Sequence, residues 1–359
     1  MEKLFHGGDI YSKRDIPKNT KLIDFSANIN PLGMPQEVKR AIIDNIDLYN
    51  NYPDPLCAEL INEISKHENI PAEQVICGNG AADIIYRIAA AIKPKITLLT
   101  APTFSEYEEA VKTVNSSVRY HFLLEKNGFN LDQSIFDKLE PSVDLMFLCN
   151  PNNPTGIPID KEIVMEIAAR CKVNKTILVV DECFNDFLEN SRDYSIIEEL
   201  GDFDNVIVLK AFTKIYAMAG IRLGYGLCSN KDIIDRLYKA GQPWNVSVIA
   251  QKCGIAALKE TEYVTQTKML IKENREYLIS KLKLLGLKVF ESQANYILFK
   301  TKNKLLQHEL EKCGILIRSC GNYVGLNDTY FRIAVKAKED NEHLVRSMEQ
   351  YLDTIEVVK

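Results

Sequence analysis

Short apolar runs, separated by stretches with helical periodicity, fill the middle of the chain. Each run holds about five residues and is apolar at nearly every position. The runs lie at 75–77, 96–100, 145–149, 176–180, 206–209 and 225–228. Such runs are typical of strands buried on both faces, and the helical stretches between them favour a largely parallel sheet. We therefore predict an α/β fold in which helices flank a mostly parallel central sheet.

The pattern changes after Trp244, where a long helical stretch leads into a second set of short strands. These strands are predicted at 287–290, 295–300, 315–318 and 330–335, with a last helix at 339–355. We expect a smaller α+β domain here, completed by the N-terminal segment at 35–45. The predicted division is an N-terminal arm with part of the small domain (1–45), a large domain (46–270) and a small C-terminal domain (271–359).

Length and charge narrow the class of protein. With 359 residues, 46% of them hydrophobic and 26% charged, the chain exceeds one ordinary core and has the composition of a soluble globular protein. A net charge of −5 gives no broad attraction to nucleic acid or to an anionic membrane. No stretch approaches the roughly 20 apolar residues that span a bilayer.

The histidines and cysteines argue against metal binding and secretion. The five histidines are scattered and none has a metal-ligand spacing, so no metal site is expected. The nine cysteines include no CxxC pair, and the N-terminal segment lacks the apolar stretch of a signal peptide. These features predict a cytoplasmic protein with reduced thiols.

Polar residues that could carry chemistry follow several predicted strands, where ligands of open α/β sheets bind. Lys214 lies between two apolar runs and could bond covalently to an aldehyde cofactor, while Thr213 and Arg222 hold the phosphate of that cofactor. Asp181 ends an apolar run, so its carboxylate could pair with a protonated pyridine nitrogen. Taken singly, a surface lysine and a helix-capping aspartate are the commoner interpretations.

Three further motifs could complete a cofactor site. The turn Asn150–Gly156 offers Asn153, whose amide could donate to a phenolic oxygen, although such Asn/Pro/Gly segments are often only turns. The glycine-rich loop 77–83 precedes a helical stretch and could bring backbone N–H groups to a phosphate. It lacks GxGxxG and a GK[ST] ending, which argues against a dinucleotide fold or a P-loop. Phe104 could stack on a flat cofactor or be an ordinary core residue.

The order of these motifs along the chain is phosphate loop, aromatic ring, asparagine, aspartate, then lysine and arginine. It resembles the fold-type-I aminotransferase superfamily over nearly the whole chain. The resemblance implies pyridoxal 5′-phosphate (PLP) as cofactor, with Lys214 bonded to it and later carrying a proton. It also implies that Asp181 holds the pyridinium, Asn153 the ring oxygen and Phe104 the ring face. The cofactor phosphate would be held by Gly80, Ala81, Ala82, Thr213 and Arg222.

The same resemblance implies a homodimer with shared active sites, because Tyr52 matches a tyrosine that reaches the phosphate of the partner subunit. Two positions depart from the pattern. Phe184 stands where many relatives have tyrosine, which removes one hydrogen bond to the ring oxygen. Ala211 stands where many relatives have a hydroxyl residue, which removes one phosphate contact.

Within the superfamily, the opening His6-Gly-Gly-Asp-Ile-Tyr and the segment Asp24–Gly33 resemble the L-threonine-O-3-phosphate decarboxylases of cobalamin biosynthesis. Histidinol-phosphate aminotransferases share most of the cofactor motifs but usually lack the His-Gly-Gly opening. The resemblance implies a small phosphorylated amino acid as substrate. Arg332 would bind its α-carboxylate, and the residues implied at its remaining groups are His6, Gly7, Asn28, Asn153 and Arg318. Both arginines could instead lie on exposed strand ends.

Three functions follow from these motifs. The leading hypothesis is a lyase that converts L-threonine O-3-phosphate into (R)-1-aminopropan-2-yl phosphate and carbon dioxide. The alternative is a histidinol-phosphate aminotransferase or a related phospho-amino-acid aminotransferase. A catalytically silent PLP-binding regulator is disfavoured, since it would be free to lose Lys214, Asp181 and Arg222. Decarboxylation and transamination differ in which bond of the substrate stands perpendicular to the ring, and the residues alone leave that open.

Overall fold

The computed structural model describes residues 7–12 and 20–357, with side chains up to residue 352. The strands are β1 (Ile23–Asp24), β2 (Val75–Gly78), β3 (Ile96–Ala101), β4 (Ser117–Phe122), β5 (Leu145–Cys149), β6 (Ile177–Asp181), β7 (Val206–Ala211), β8 (Gly224–Leu227), β9 (Lys288–Val289), β10 (Tyr296–Lys300), β11 (Ile315–Leu316), β12 (Arg318–Ser319) and β13 (Tyr330–Ala334). The α-helices are α1 (Gln36–Asp44), α2 (Ala58–Glu68), α3 (Ala81–Ile92), α4 (Glu106–Lys112), α5 (Lys161–Asn174), α6 (Phe212–Ile215), α7 (Lys231–Ala240), α8 (Val248–Ala257), α9 (Thr261–Leu284), α10 (Leu306–Lys312) and α11 (Lys338–Val357).

A seven-stranded sheet forms the centre of the molecule, with the strand order β2-β8-β7-β6-β5-β3-β4. Strand β8 runs antiparallel to both of its neighbours, and the other pairs are parallel. Every residue of β5 and of β7 is buried, because the neighbouring elements cover both faces of the sheet. The predicted α/β fold with a mostly parallel sheet is confirmed.

Strand β4 was not predicted from the sequence, and its position explains why. It pairs only with β3 at one edge of the sheet, and most of its residues stay partly or fully exposed. Its sequence Ser-Val-Arg-Tyr-His-Phe alternates polar and apolar residues. A search for continuous apolar runs detects strands buried on both faces, so it passes over an edge strand of this kind.

The C-terminal region contains a second sheet, with the antiparallel order β12-β13-β10-β9. Strands lie at all four positions predicted for this region, although the predicted strand at 315–318 is divided into β11 and β12. The N-terminal contribution differs from the expectation. Strand β1 pairs in parallel with β11, whereas the segment at 35–45 forms α1 and packs against α8. The domain boundaries at 45 and 270 stay a prediction.

The register of the central strands brings their carboxyl ends side by side. Cys149, the last residue of β5, lies opposite Asp181, which in turn lies opposite Leu209 on β7. Because parallel strands end at the same edge of the sheet, the polar segments that follow them converge there. Among the described residues, no helix has both the length and the apolar character needed to cross a bilayer.

Close backbone packing joins β8 to the start of α3. A Cβ atom built on Gly224 would overlap the amide nitrogen of Ala81 and come within 2.9 Å of the carbonyl carbon of Gly80. We therefore expect Gly224→Ala to lower the free energy of unfolding by about 1–3 kcal/mol, the usual cost of overpacking. The matched control is Gly201→Ala, since a Cβ there meets no atom within 4 Å. Urea denaturation of both variants tests this, and equal stability would contradict the packing argument.

Candidate active site

A cavity of about 220 Å³ lies at the carboxyl ends of β5, β6 and β7. Most of the residues that the sequence singled out line this one cavity. They are Gly7, Asn28, Ala81, Ala82, Phe104, Asn153, Asp181, Thr213, Lys214, Arg222, Arg318 and Arg332. The two departures from the superfamily pattern, Phe184 and Ala211, also lie on its wall.

Two predicted residues do not line the cavity, and a third is not described by the structure. Gly80 does not line the cavity itself. It lies next to Arg222, which does, since a Cβ built on Gly80 would come within 2.6 Å of Arg222 Nη2. Tyr52 is 82% exposed, and its ring centroid lies 4.9 Å from that of Trp244. A single chain does not test its predicted contact with a partner subunit. His6 lies outside the described residues.

Lys214 is carried by the short helix α6, immediately after β7. Its Nζ lies 6.0 Å from the centroid of the Phe184 ring. Removal from water lowers the pKa of Lys214 to about 8, and the positive charges of Arg332 and Arg222 act in the same direction. A substantial fraction of this amine is therefore neutral near physiological pH, as a nucleophile that attacks an aldehyde requires.

Asp181 is buried at the end of β6 and is held by two donors. Its carboxylate accepts hydrogen bonds from the Tyr107 hydroxyl at 2.6 Å and from the Cys183 amide at 3.0 Å. The Tyr107 ring stacks on Phe147, with 4.8 Å between centroids. Burial raises the pKa of Tyr107 well above its ordinary value, so the phenol remains a donor. The sequence analysis missed Tyr107, which follows the predicted Phe104 by one helical turn.

The start of α3 and Arg222 form a positively polarised end of the cavity. Gly80, the residue before α3, has a φ of +81°, which favours glycine and lets the backbone turn into the helix. The first helical residues, Ala81 and Ala82, face the cavity together with Thr213. Free N–H groups at the start of a helix and a guanidinium together favour a bound anion.

Arg332 lies on β13 and is 5% exposed, and we call the part of the cavity wall around it the arginine end. Its Nη1 donates to Oδ1 of Asn153, and its Nη2 donates to the carbonyl oxygen of Ser26 at 2.8 Å. These acceptors are neutral, and within the described ranges no carboxylate forms an ion pair with Arg332. A buried guanidinium without a counter-charge is costly, so the arrangement favours an anionic ligand. Because the Asn153 side-chain oxygen accepts from Arg332, the amide nitrogen is the atom of this side chain that can donate to a ligand.

Arg318 lies directly opposite Arg332 on the neighbouring strand β12. Its Nη2 donates to Asn322 Oδ1 at 2.8 Å, and its guanidinium carbon lies 5.4 Å from the centroid of the Tyr323 ring. The Tyr323 hydroxyl also lies 3.5 Å from Nη1 of Arg332. Like charges at opposed positions repel each other, and an anionic ligand relieves that repulsion.

Asn28 completes this end of the cavity. Its side chain is 3% exposed, and its Oδ1 has no hydrogen-bond partner in the described part of the chain. Ser26 and Tyr323 also line the cavity and were missed from the sequence. Ser26 lies in the same Asp24–Gly33 segment as Asn28. The segment was therefore recognised in the sequence, but the contacts of Ser26 were not predicted.

Comparison with known proteins agrees with this geometry. The family model for aminotransferase class I and II matches residues 20–348. The chain belongs to this family. A threonine-phosphate decarboxylase of Salmonella typhimurium is 36% identical over 98% of this chain and 97% of its own. A histidinol-phosphate aminotransferase of Methanococcus aeolicus is 29% identical over 95% of this chain and 94% of its own. The crystal structure of a histidinol-phosphate aminotransferase from Clostridium acetobutylicum superposes with a TM-score of 0.87 at 30% identity, covering 93% of this chain and 100% of that one.

The predicted superfamily is confirmed, and the protein is a PLP-dependent enzyme. The side chains of the cavity fit the cofactor. Asp181 would supply a carboxylate for the pyridine nitrogen, Asn153 an amide donor for the ring oxygen and Phe104 a ring face. The start of α3, with Thr213 and Arg222, suits the phosphate. The residue roles themselves remain part of our proposal.

The depressed pKa of Lys214 predicts how covalent cofactor loading depends on pH. In cofactor-free protein, the rate at which Lys214 bonds to added PLP should rise with pH through about 8, as the amine loses its proton. The charge of Arg332 lowers this pKa, so Arg332→Gln should move the midpoint to higher pH, while Arg332→Lys should largely restore it. Stopped-flow absorbance measures the rate. Midpoints near the ordinary lysine value of about 10.4 in every variant would contradict the prediction.

Proposed function

We propose that this protein is a PLP-dependent decarboxylase in cobalamin biosynthesis. It would convert L-threonine O-3-phosphate into (R)-1-aminopropan-2-yl phosphate and carbon dioxide. The observation that carries the proposal is the pair of arginines, Arg318 and Arg332, which line the cavity from opposed positions on adjacent strands. The similarity to the Salmonella decarboxylase extends over 98% of the chain and supports the same substrate class.

The spacing of the two arginines suits this substrate. Their strands pair directly, and opposed residues on antiparallel strands lie about 4.5–5.5 Å apart at their α-carbons. L-Threonine O-3-phosphate has its carboxylate and its phosphate on adjacent carbon atoms, so its two anions are also close together. Arg332 is placed to bind the carboxylate, and Arg318, with Gly7 and Asn28, the phosphate.

The residues of the chain then have separate tasks. When bound, PLP supplies an electron sink for the electron pair that is released as carbon dioxide leaves. Arg332 orients the carboxylate relative to the ring, and Asp181, hydrogen-bonded by Tyr107, keeps the proton on the pyridine nitrogen. Lys214, whose amine is partly neutral, would anchor the cofactor and would hold the proton that the α-carbon receives. Burial raises the pKa of the Cys183 thiol, which stays neutral beside Asp181.

The second candidate is a histidinol-phosphate aminotransferase, favoured by the structural similarity at a TM-score of 0.87. Such an enzyme would use the same cofactor site. Lys214 would instead remove the α-proton of the substrate, and the arginine end would bind histidinol phosphate and glutamate in turn. The two candidates therefore differ in the bond that is oriented for cleavage.

The proposal includes a homodimer in the cytoplasm. Tyr52, Leu56 and Trp244 are 82%, 61% and 48% exposed, and a second copy that covers them would bring Tyr52 to its phosphate site. All nine cysteines are free thiols, as expected in a reducing compartment.

Carbon dioxide release tests the proposed function. Purified protein loaded with PLP should release carbon dioxide from L-threonine O-3-phosphate without any oxo acid. Histidinol phosphate with 2-oxoglutarate, run in parallel, should give no glutamate. Lys214→Ala is the control and should show no turnover, because the covalent anchor and proton carrier is lost. Glutamate formation without carbon dioxide would establish the aminotransferase, and wild-type turnover by Lys214→Ala would exclude both assignments.

A further inference from the structure

The N-terminal segment 7–12 reaches the cavity at a point of very close packing. Gly7 lines the cavity, and a Cβ built on it would overlap the carbonyl oxygen of Ser26 and lie 3.4 Å from Arg332 Nη2. The next residue, Gly8, has a φ of +89° and donates its amide to Ser26 Oγ at 2.8 Å. Two successive glycines are therefore needed where the segment lies against Ser26.

Ser26 also contacts Arg332, the arginine proposed to bind the substrate carboxylate. It does so through its carbonyl oxygen and not through the hydroxyl that contacts Gly8. Its carbonyl oxygen accepts from Arg332 Nη2 at 2.8 Å, while its hydroxyl accepts from Gly8. Ser26 is 6% exposed; its contact with Arg332 is buried and its contact with Gly8 is partly buried. One buried residue thus connects the 7–12 segment to the guanidinium that would bind the substrate carboxylate.

Hydrogen bonds to Asp24 fix the orientation of Ser26. Oδ1 of Asp24 accepts from the Ser26 amide at 2.8 Å and from its hydroxyl at 2.6 Å. Because the hydroxyl proton goes to Asp24, a lone pair of the hydroxyl oxygen is directed to the Gly8 amide. Asp24 lies on β1 and is paired with Leu316, the last residue of β11. Arg318 follows Leu316 by two residues. Alanine at position 26 would keep the carbonyl contact to Arg332 but lose both hydroxyl contacts.

We infer that Ser26 is a positioning residue, which docks the 7–12 segment onto the arginine end of the cavity through Gly8 and links that docking to Arg332. Its effect on the substrate rests on the proposed function. Within the docked segment, Gly7 lines the cavity. Ser26 itself need not touch the substrate, so it should act on substrate binding and leave the chemical step unchanged.

The test compares Ser26→Ala with Ser229→Ala, in the PLP-loaded enzyme. The Ser229 hydroxyl, like that of Ser26, donates a hydrogen bond, in its case to the backbone carbonyl of Phe203, but Ser229 does not line the cavity. Ser26→Ala should raise the KM for L-threonine O-3-phosphate roughly tenfold, the effect of about one lost hydrogen bond, with kcat changed less than about twofold. Ser229→Ala should leave both constants unchanged. An unchanged KM in Ser26→Ala would overturn the inference. So would a loss of activity that comes from kcat alone.

Hydrogen–deuterium exchange of the Gly8 amide gives a readout that does not depend on turnover. In the enzyme without substrate, this amide should exchange faster in Ser26→Ala than in wild type or in Ser229→Ala. Gly7→Ala should have the same effect, since its Cβ cannot fit against Ser26, and the double variant should add little to either change. Wild-type exchange in Ser26→Ala would contradict the docking, whatever the substrate. Faster exchange in an enzyme that releases no carbon dioxide would instead uphold the docking and contradict the proposed function.

Discussion

The arrangement of the active site depends on one buried cation, Arg332, held by neutral partners. Asn153 and the carbonyl of Ser26 accept its hydrogen bonds, and no carboxylate among the described residues offsets its charge. Burial lowers the pKa of Lys214 most, and the positive charge of Arg332 lowers it further. The same charge favours an anionic ligand. A single unpaired guanidinium therefore contributes both to substrate recognition and to the reactivity of the lysine.

The fold places this cation in one cavity with a second anion-binding end. Asp181 and Lys214 follow neighbouring strands of the central sheet, while Arg332 and Arg318 come from the second sheet. Residues of both sheets and of the start of α3 thus line one cavity. An amino acid that carries a carboxylate and a phosphate fits the arginine end, while the cofactor phosphate fits the end at α3. We propose that the two ends bind different anions because they are built from different elements.

The parts of the site that were predictable lie directly after apolar runs. Asp181 and Lys214 could be predicted because a strand and its functional residue are adjacent in sequence. Tyr107 and Ser26 could not, since their roles depend on contacts across 74 and 306 residues of the chain. The same limit applies to the N-terminal region, where β1 pairs with the distant β11 in a separate two-stranded sheet. Edge strand β4 was missed because its exposure permits polar residues.

The most direct test of the account is whether the arginine end recognises both anions of the substrate together. Calorimetry on Lys214→Ala protein, with PLP at saturating concentration, can compare L-threonine O-3-phosphate with L-threonine and with (R)-1-aminopropan-2-yl phosphate. Each of the latter two lacks one anion and should bind more weakly by about 2 kcal/mol or more, the cost of leaving a buried charge unpaired. In the Arg332→Gln background, the difference due to the carboxylate should disappear. Equal affinities for all three ligands with Arg332 intact would contradict the account.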